Sequence, residues 1–373
     1  MSTVDPALEA RLLDSSHGAE MLAILRSSPI ETPALSLCFD RGPDIFAMSR
    51  LKYDPLRFMG LFAADRLVGF AMLGIHQGYV NGKPTRVMHL SDYYVRAEHR
   101  GRGSFNTVVR ALAREVEADV KLGYAVVLEG NAAALRFMNR DAHRIPVAAK
   151  DRTVGTLEAR SILVTFRRRR PPPIEVRKAL PADVEAIVAL LQREHTPRLF
   201  APVLDVDRFR HRLQTRPGCD LGSYYVALDG NEIVGVVAAW DTVSFKQNRV
   251  VRYGWGLQLT RVAYGALRPV FGFPRLPAPG EAFRDLHLTD CAARHRSPEI
   301  LGAILERIYA DCRPQGYNTL IFASAAGDPM LDATAAFRCE TVRSHIVAFS
   351  LDAALLADGA IDTSLPCIDV ALL

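Results

Sequence analysis

The stretch LSDYYVRAEHRGRGS, residues 90–104, joins a strand to a helix through a turn that contains two glycines. Its first residues favour β-strands. After the turn, apolar residues recur three and four positions apart, which is the spacing of one helix face; they are Phe105, Val108, Val109, Leu112 and Val116. The sequence therefore predicts a strand, a glycine turn and an amphipathic helix that ends near Gly123.

A glycine turn between a strand and a helix can bind an anion. Glycine lets the backbone turn tightly and lets a ligand approach the main chain. The first amides of the helix face outward at the positive end of its dipole, and Arg100 and Arg102 add donors suited to phosphate. The spacing differs from that of a P-loop or a Rossmann turn. Two interpretations stay open: a phosphate cradle, and a turn that binds nothing.

The chain repeats this arrangement once. In both halves a strand and an amphipathic helix precede a hairpin, and a second strand and helix follow it. Three pairs of segments align: residues 11–25 with 177–191, 67–73 with 233–239, and 88–96 with 286–294. The hairpins require antiparallel pairing, so each half is expected to be an α/β domain with a mixed, mostly antiparallel sheet flanked by helices.

The boundary between the halves is the segment RRRRPPP, residues 167–173, which predicts an extended linker. It divides the chain into domains at residues 1–166 and 174–373. The second half carries an insertion within residues 241–282, which is rich in aromatic residues and arginine. We expect this insertion to form an extra helix that caps a core or forms an interface; a substrate lid is the alternative.

The run LSDYYVRAEHRGRGS resembles the core motif of the GNAT acyltransferase superfamily, in which a strand leads through a glycine turn into a helix that holds coenzyme A. Arg100 and Gly103 match this pattern, whereas Phe105 stands where glycine or alanine is usual. The resemblance implies that backbone groups near Val95 and Ala97 bind the pantetheine arm. It also implies that the turn and the first helical amides hold the pyrophosphate, through Arg100, Gly101, Arg102, Gly103, Ser104 and Phe105.

A second segment, AVVLEGNAAALRFMNR, resembles the next strand and helix of the same superfamily. Asn131 and Ala134 match, which adds Asn131 to the implied coenzyme site. Met138 stands where many members carry a tyrosine that protonates the departing thiolate. The second half has HRSPEILG, residues 295–302, in place of the glycine turn. The resemblance therefore implies one acetyl-CoA site, in the first half, beside a degenerate second domain.

Four side chains are candidates for the chemistry of acyl transfer to an amine. His89 precedes Val95 by six residues and could be the general base. His287 and Asp290 recur at the same positions in the second half, which favours a structural role instead. Three further residues complete the set. Asp92 could steer a cationic amine or hydrogen-bond the backbone, and Glu129 is an alternative base. Tyr93 could replace the proton-donating tyrosine at whose position Met138 stands.

Composition sets the remaining expectations. The net charge is +5, and only six of the 46 basic residues are lysines. No groove-reading motif accompanies the arginines, so we expect no nucleic-acid partner. The six cysteines form no CxxC pair, no signal peptide is evident and no apolar run could span a membrane. We expect a cytoplasmic protein, a monomer or homodimer, with no metal and no membrane partner.

Together these features predict an N-acetyltransferase that moves an acetyl or short acyl group from acyl-CoA to a primary amine of a small molecule or peptide. A catalytically lapsed coenzyme A sensor or scaffold is the alternative, favoured by Phe105 and Met138.

Overall fold

The computed structural model describes residues 8–100, 103–132, 134–135, 150–166, 174–363 and 365–373. In the first half the strands are β1 (Leu8–Leu13), β2 (Ile30–Glu31), β3 (Leu35–Asp40), β4 (Leu56–Ala63), β5 (Arg66–Val80), β6 (Lys83–Val95), β7 (Leu122–Leu128) and β8 (Lys150–Leu163). The helices are α1 (Gly18–Arg26), α2 (Ala47–Arg50) and α3 (Ser104–Arg114).

The second half repeats the core order of a strand, a helix, a hairpin, a strand, a helix and two strands, with an added helix and the insertion. Its strands are β9 (Glu175–Lys178), β10 (Tyr224–Asp229), β11 (Glu232–Asp241), β12 (Gln247–Tyr253), β13 (Asp285–Ala293), β14 (Thr319–Ala325) and β15 (Cys339–Ser350). Its helices are α4 (Val184–His195), α5 (Val206–Thr215), α6 (Trp255–Phe271) and α7 (Pro298–Cys312).

Within the described ranges, twelve strands form one sheet in the order β1-β4-β5-β6-β7-β15-β8-β14-β13-β11-β10-β9. The pairs β6–β7 and β13–β14 are parallel, and the other neighbours are antiparallel. The mixed, mostly antiparallel α/β architecture is therefore confirmed, and so are both hairpins, β4–β5 and β10–β11. The domain boundaries at residues 166 and 174 stay a prediction.

The two halves exchange their last strands. β8 belongs to the first half of the sequence, yet its neighbours in the sheet are β14 and β15. β15 belongs to the second half and pairs along its length with β7. Each half of the sheet is thus completed by a strand from the other half of the chain, which makes the sheet continuous.

Helices α3 and α7 cover equivalent positions in the two halves. Val108 and Leu112 of α3 pack into a core with residues of β4 and β5, and Leu301 and Ile304 of α7 pack into a core of the second half. The expectation that the helix after the glycine turn ends near Gly123 was wrong: α3 ends at Arg114. Gly123 instead lies in β7, where the side chains of neighbouring strands leave no room for a Cβ atom.

The insertion contributes β12 and α6. β12 pairs with β3 of the first half in a separate three-stranded sheet, so the insertion connects the two halves. The expected extra helix is present, but none of its residues is buried and it therefore caps no core.

Candidate active site

Strands β6 and β7 separate after a short parallel pairing, and the space between their unpaired ends is called the cleft. They pair over three positions, from Val87 opposite Leu122 to His89 opposite Tyr124. Beyond this point β6 runs on to Val95 and β7 to Leu128, each bonded to its other neighbour. The backbone that faces the cleft can hydrogen-bond an extended ligand, as an open sheet edge does.

The β6 edge of the cleft is kinked by a bulge. Asp92 has φ +55°, and the register with β5 shifts between Phe70 and Met72. The Asp92 carboxylate forms an ion pair with the guanidinium of Arg41, and both side chains are buried. Asp92 therefore already has a cationic partner inside the protein, and its predicted role in steering an amine stays a prediction.

The glycine turn ends the cleft at the N-terminus of α3. Gly103 is the N-cap residue of this helix, has φ +71° and offers no side chain to cap the first amides. A Cβ atom built at Gly103 would have no neighbour within 4 Å among the described residues. Gly103 therefore leaves space beside the start of α3, where an anion can approach the positive end of the helix dipole. Gly101, Arg102 and Met138 lie outside the described residues.

Arg100 and Val95 connect the turn to the strand. Arg100 Nε donates a hydrogen bond to the carbonyl oxygen of Val95 at 3.0 Å, and Ala97 lies in the single helical turn between them. Val95 is buried. These contacts hold the turn against the end of β6, where the resemblance implies that the pantetheine arm binds.

Tyr93 connects the same strand to α3. Its hydroxyl lies 2.8 Å from Ser104 Oγ, and its ring meets the ring of Phe105 edge to face at 4.7 Å between centroids. Burial raises the pKa of Tyr93. The phenol is therefore protonated at neutral pH and is able to donate a proton.

His89 lies at the point where the strands separate. Its side chain is buried, and Nδ1 is 2.5 Å from the Tyr53 hydroxyl. Nε2 is buried and has no hydrogen-bond partner among the described residues. Burial, together with the nearby charge of Lys52, holds the pKa of His89 well below its usual value. His89 is therefore neutral at physiological pH, and its Nε2 is a buried ring nitrogen without a hydrogen-bond partner among the described residues.

A polar cluster around His89 was missed by the sequence reasoning. Lys52 Nζ donates to the Tyr124 hydroxyl at 3.1 Å, and His76 Nε2 lies 3.0 Å from the same oxygen. Burial lowers the pKa of Lys52 to about 8 and that of His76 to about 3. These residues and Tyr53 are scattered over residues 52–124, and no motif marks them.

Glu129 and Asn131 lie at the far end of β7. Glu129 is exposed, and its backbone N–H donates to the carbonyl of Arg343. It is five residues beyond Tyr124, so it lies about 16 Å along the strand from the level of His89. The structure therefore does not bring the two candidate bases together. Asn131 Oδ1 accepts a hydrogen bond from the Ala134 amide at 3.1 Å.

The second half has the same strand separation but different chemistry. β13 and β14 also pair over three positions only. Ser297, the N-cap residue of α7, accepts a hydrogen bond from the Ile300 amide, so the side chain of Ser297 caps this helix N-terminus.

The counterparts of His89 and Asp92 in the second half have structural partners. His287 is buried with Nδ1 3.1 Å from Thr242 Oγ1. Asp290 accepts hydrogen bonds from Arg212, Arg216 and Tyr224.

Residues 24–143 match the model of the acetyltransferase (GNAT) family. N-myristoyltransferase of Saccharomyces cerevisiae with bound myristoyl-CoA is 12% identical, with 92% of this chain and 79% of that chain covered and a TM-score of 0.59. A GCN5-related N-acetyltransferase from Anabaena variabilis is 10% identical, with coverage of 93% and 74% and a TM-score of 0.51. At these identities the likeness establishes the fold. No curated protein matches this sequence.

Proposed function

Since residues 24–143 of this chain match the model of the GNAT acetyltransferase family, we propose that the protein transfers an acetyl or other short acyl group from acyl-CoA to a primary amine. The amine belongs to a small molecule or a peptide and attacks directly in a ternary complex. One observation carries the proposal: the cleft between β6 and β7 leads to the N-terminus of α3, which Gly103 leaves without a side-chain cap.

The residues of the cleft fit coenzyme A. The space beside Gly103 lets a pyrophosphate approach the backbone, and the amides of Ser104 and Phe105 begin the helix there. The open β6 edge near Val95 and Ala97 suits the amides of a pantetheine arm. Acyl-CoA would supply the thioester carbonyl that the amine attacks, and Arg100, Gly101, Arg102 and Asn131 complete the proposed binding set.

We assign the general base to His89. Its Nε2 is the buried ring nitrogen that lacks a partner among the described residues, and it lies where the strands begin to separate. Tyr53 and Tyr124 fix the ring, the first by a hydrogen bond and the second by stacking. A neutral imidazole held in this way can take the proton of the attacking amine, directly or through water, as the carbon–nitrogen bond forms.

The departing sulfur needs a proton as the carbon–sulfur bond breaks, and we assign this role to Tyr93. Its phenol is protonated and lies on β6, between the strand and the helix N-terminus. Glu129 lies too far along β7 to share the task of His89, because the two are separated by about 16 Å of strand.

The second half completes the site without a coenzyme of its own. Phe200 stacks on Tyr124 with ring centroids 4.5 Å apart, so a residue of the second half packs behind the ring that supports His89. The Ser297 cap explains why no second anion cradle is expected there. The second domain is therefore proposed to shape the cleft.

A thiol-release assay tests the proposal. Acetyl-CoA is incubated with the protein and a panel of amines that includes polyamines, amino acid amides and short peptides, and free thiol is measured. The proposal predicts release that requires both protein and an amine, with the acetylated amine as product. Tight acetyl-CoA binding with no release for any amine would instead support the sensor or scaffold.

A further inference from the structure

Helix α6 presents an apolar face away from the protein. Trp255, Leu259, Val262, Ala266 and Val270 are four, three, four and four residues apart, so they lie along one side of the helix. Their exposure is high: Trp255 is 82% exposed, Leu259 60%, Val262 61% and Val270 77%. A contiguous apolar surface of this kind marks an interaction site.

The orientation of α6 is fixed by contacts at both ends. The Gly254 amide, just before the helix, donates to the carbonyl of Ala34 at 2.8 Å. At the other end, Arg313 Nη2 donates to the carbonyl of Phe271 at 2.6 Å. On the inner side, Tyr264 stacks on Phe273 with centroids 4.1 Å apart. The apolar face is therefore held outward by the rest of the fold.

The segment around α6 has a positive net charge, although Arg249 pairs with Asp40 and Arg275 with Glu281 just outside it. Residues 242–280 contain one lysine and five arginines and no aspartate or glutamate. Arg252, just before the helix, and Arg268, in its last turn, are exposed. A second copy of the chain would bring these cations against their own counterparts, whereas an anionic surface complements them. Tryptophan at an exposed position beside arginine is typical of helices that lie in a membrane interface.

We propose that α6 docks the protein on the surface of a membrane that contains anionic phospholipids. The apolar face enters the interface and the flanking arginines meet the phosphate groups. Every helix in the described ranges is too short or too polar to cross a bilayer, so α6 would lie along the surface. The expectation of no membrane partner rested on the length of the apolar runs, which does not bear on a helix that lies along the surface. The inference is independent of the proposed acyl transfer.

Vesicle binding followed by tryptophan fluorescence tests this proposal. The chain has two tryptophans, and only Trp255 is exposed, because Trp240 is fully buried. Vesicles of phosphatidylcholine mixed with phosphatidylglycerol should sediment the protein and shift the Trp255 emission to shorter wavelength. Raised salt should weaken the binding, and pure phosphatidylcholine vesicles should bind much less.

Two double variants make the test specific. Leu259→Ser with Val262→Ser removes apolar side chains from α6 and should weaken vesicle binding by about tenfold or more. Leu180→Ser with Val342→Ser makes the same chemical change at sites that are 52% and 50% exposed elsewhere, and should bind as the native chain does. Failure of the native protein to bind, or equal loss in both variants, would overturn the proposal. The native protein could also form a dimer in solution without lipid. If only the α6 variant is then monomeric, the apolar face binds a second copy of the chain instead.

Discussion

The imidazole of His89 stacks on the phenol ring of Tyr124, with centroids 4.5 Å apart and planes 15° apart. The two residues form the last pair of β6 and β7 before the strands separate. The stack therefore lies where the separation between the two strands begins, and the proposed role of His89 as general base requires that the amine reach its buried Nε2 there.

Replacing His89 with glutamine should reduce kcat by about 100-fold or more and leave the acetyl-CoA Kd within about twofold, because general base catalysis is lost and the anion cradle is not touched. The loss should be similar at about pH 6 and about pH 8, since the lowered pKa keeps His89 neutral at both. His287→Gln changes the counterpart in the second half and is the control. Unchanged turnover in His89→Gln would show that His89 is structural.

Gly103→Ala should weaken acetyl-CoA binding by about tenfold or more, because the new Cβ atom would occupy the space proposed for the pyrophosphate. The φ of +71° should also cost about 1 kcal/mol of folding free energy. Gly230→Ala is matched: its φ is +59°, it has no neighbour within 4 Å among the described residues, and it lies in the β10–β11 turn. Equal loss of affinity in both variants, measured by calorimetry, would argue against the cradle.

Asp92→Asn should lower the free energy of unfolding by about 3 kcal/mol, because it leaves Arg41 buried without a counter-charge. Adding Arg41→Met removes that charge and should recover most of the loss. Urea unfolding measures both changes. If Asp92→Asn keeps its stability but raises KM for a cationic amine, Asp92 serves the acceptor rather than the fold.

Acid should destabilise the protein through its buried histidines. Burial lowers the pKa of His195 to about 4 and that of His76 to about 3. Below about pH 6.5 the unfolded chain binds protons that the folded chain excludes, so each histidine should remove about 1.4 kcal/mol of stability per pH unit until its folded pKa is reached. Urea unfolding at about pH 7 and about pH 5 measures the slope.

His195→Phe should make the dependence of the unfolding free energy on pH shallower, because the unfolded variant has one histidine fewer to bind a proton. His211→Phe makes the same substitution at an exposed histidine and is the control. An identical slope in His195→Phe and the native chain would refute this explanation of acid sensitivity.

Much of the fold was predictable because its signals are local. The apolar spacing after Gly103 predicted α3, and the polar turns predicted the hairpins β4–β5 and β10–β11. The exchange of β8 and β15 was not predictable. Strand pairing between segments about 190 residues apart leaves no periodic pattern in either one.

The site was predictable in part. Gly103 stood inside a recognisable motif and His89 directly before it, whereas Lys52, Tyr53 and His76 come from other strands and loops. Their meeting depends on strand register, since Gly74 opposite His89 leaves the space that the ring of Tyr53 fills. The ion pair between Arg41 and Asp92 likewise joins residues that no sequence spacing connects.

The most direct test of the central claim is a calorimetric titration of the native protein with acetyl-CoA. The account predicts one site per chain, because Gly103 opens the helix N-terminus in the first half and Ser297 caps its counterpart in the second. Absence of binding, or two equivalent sites per chain, would contradict it.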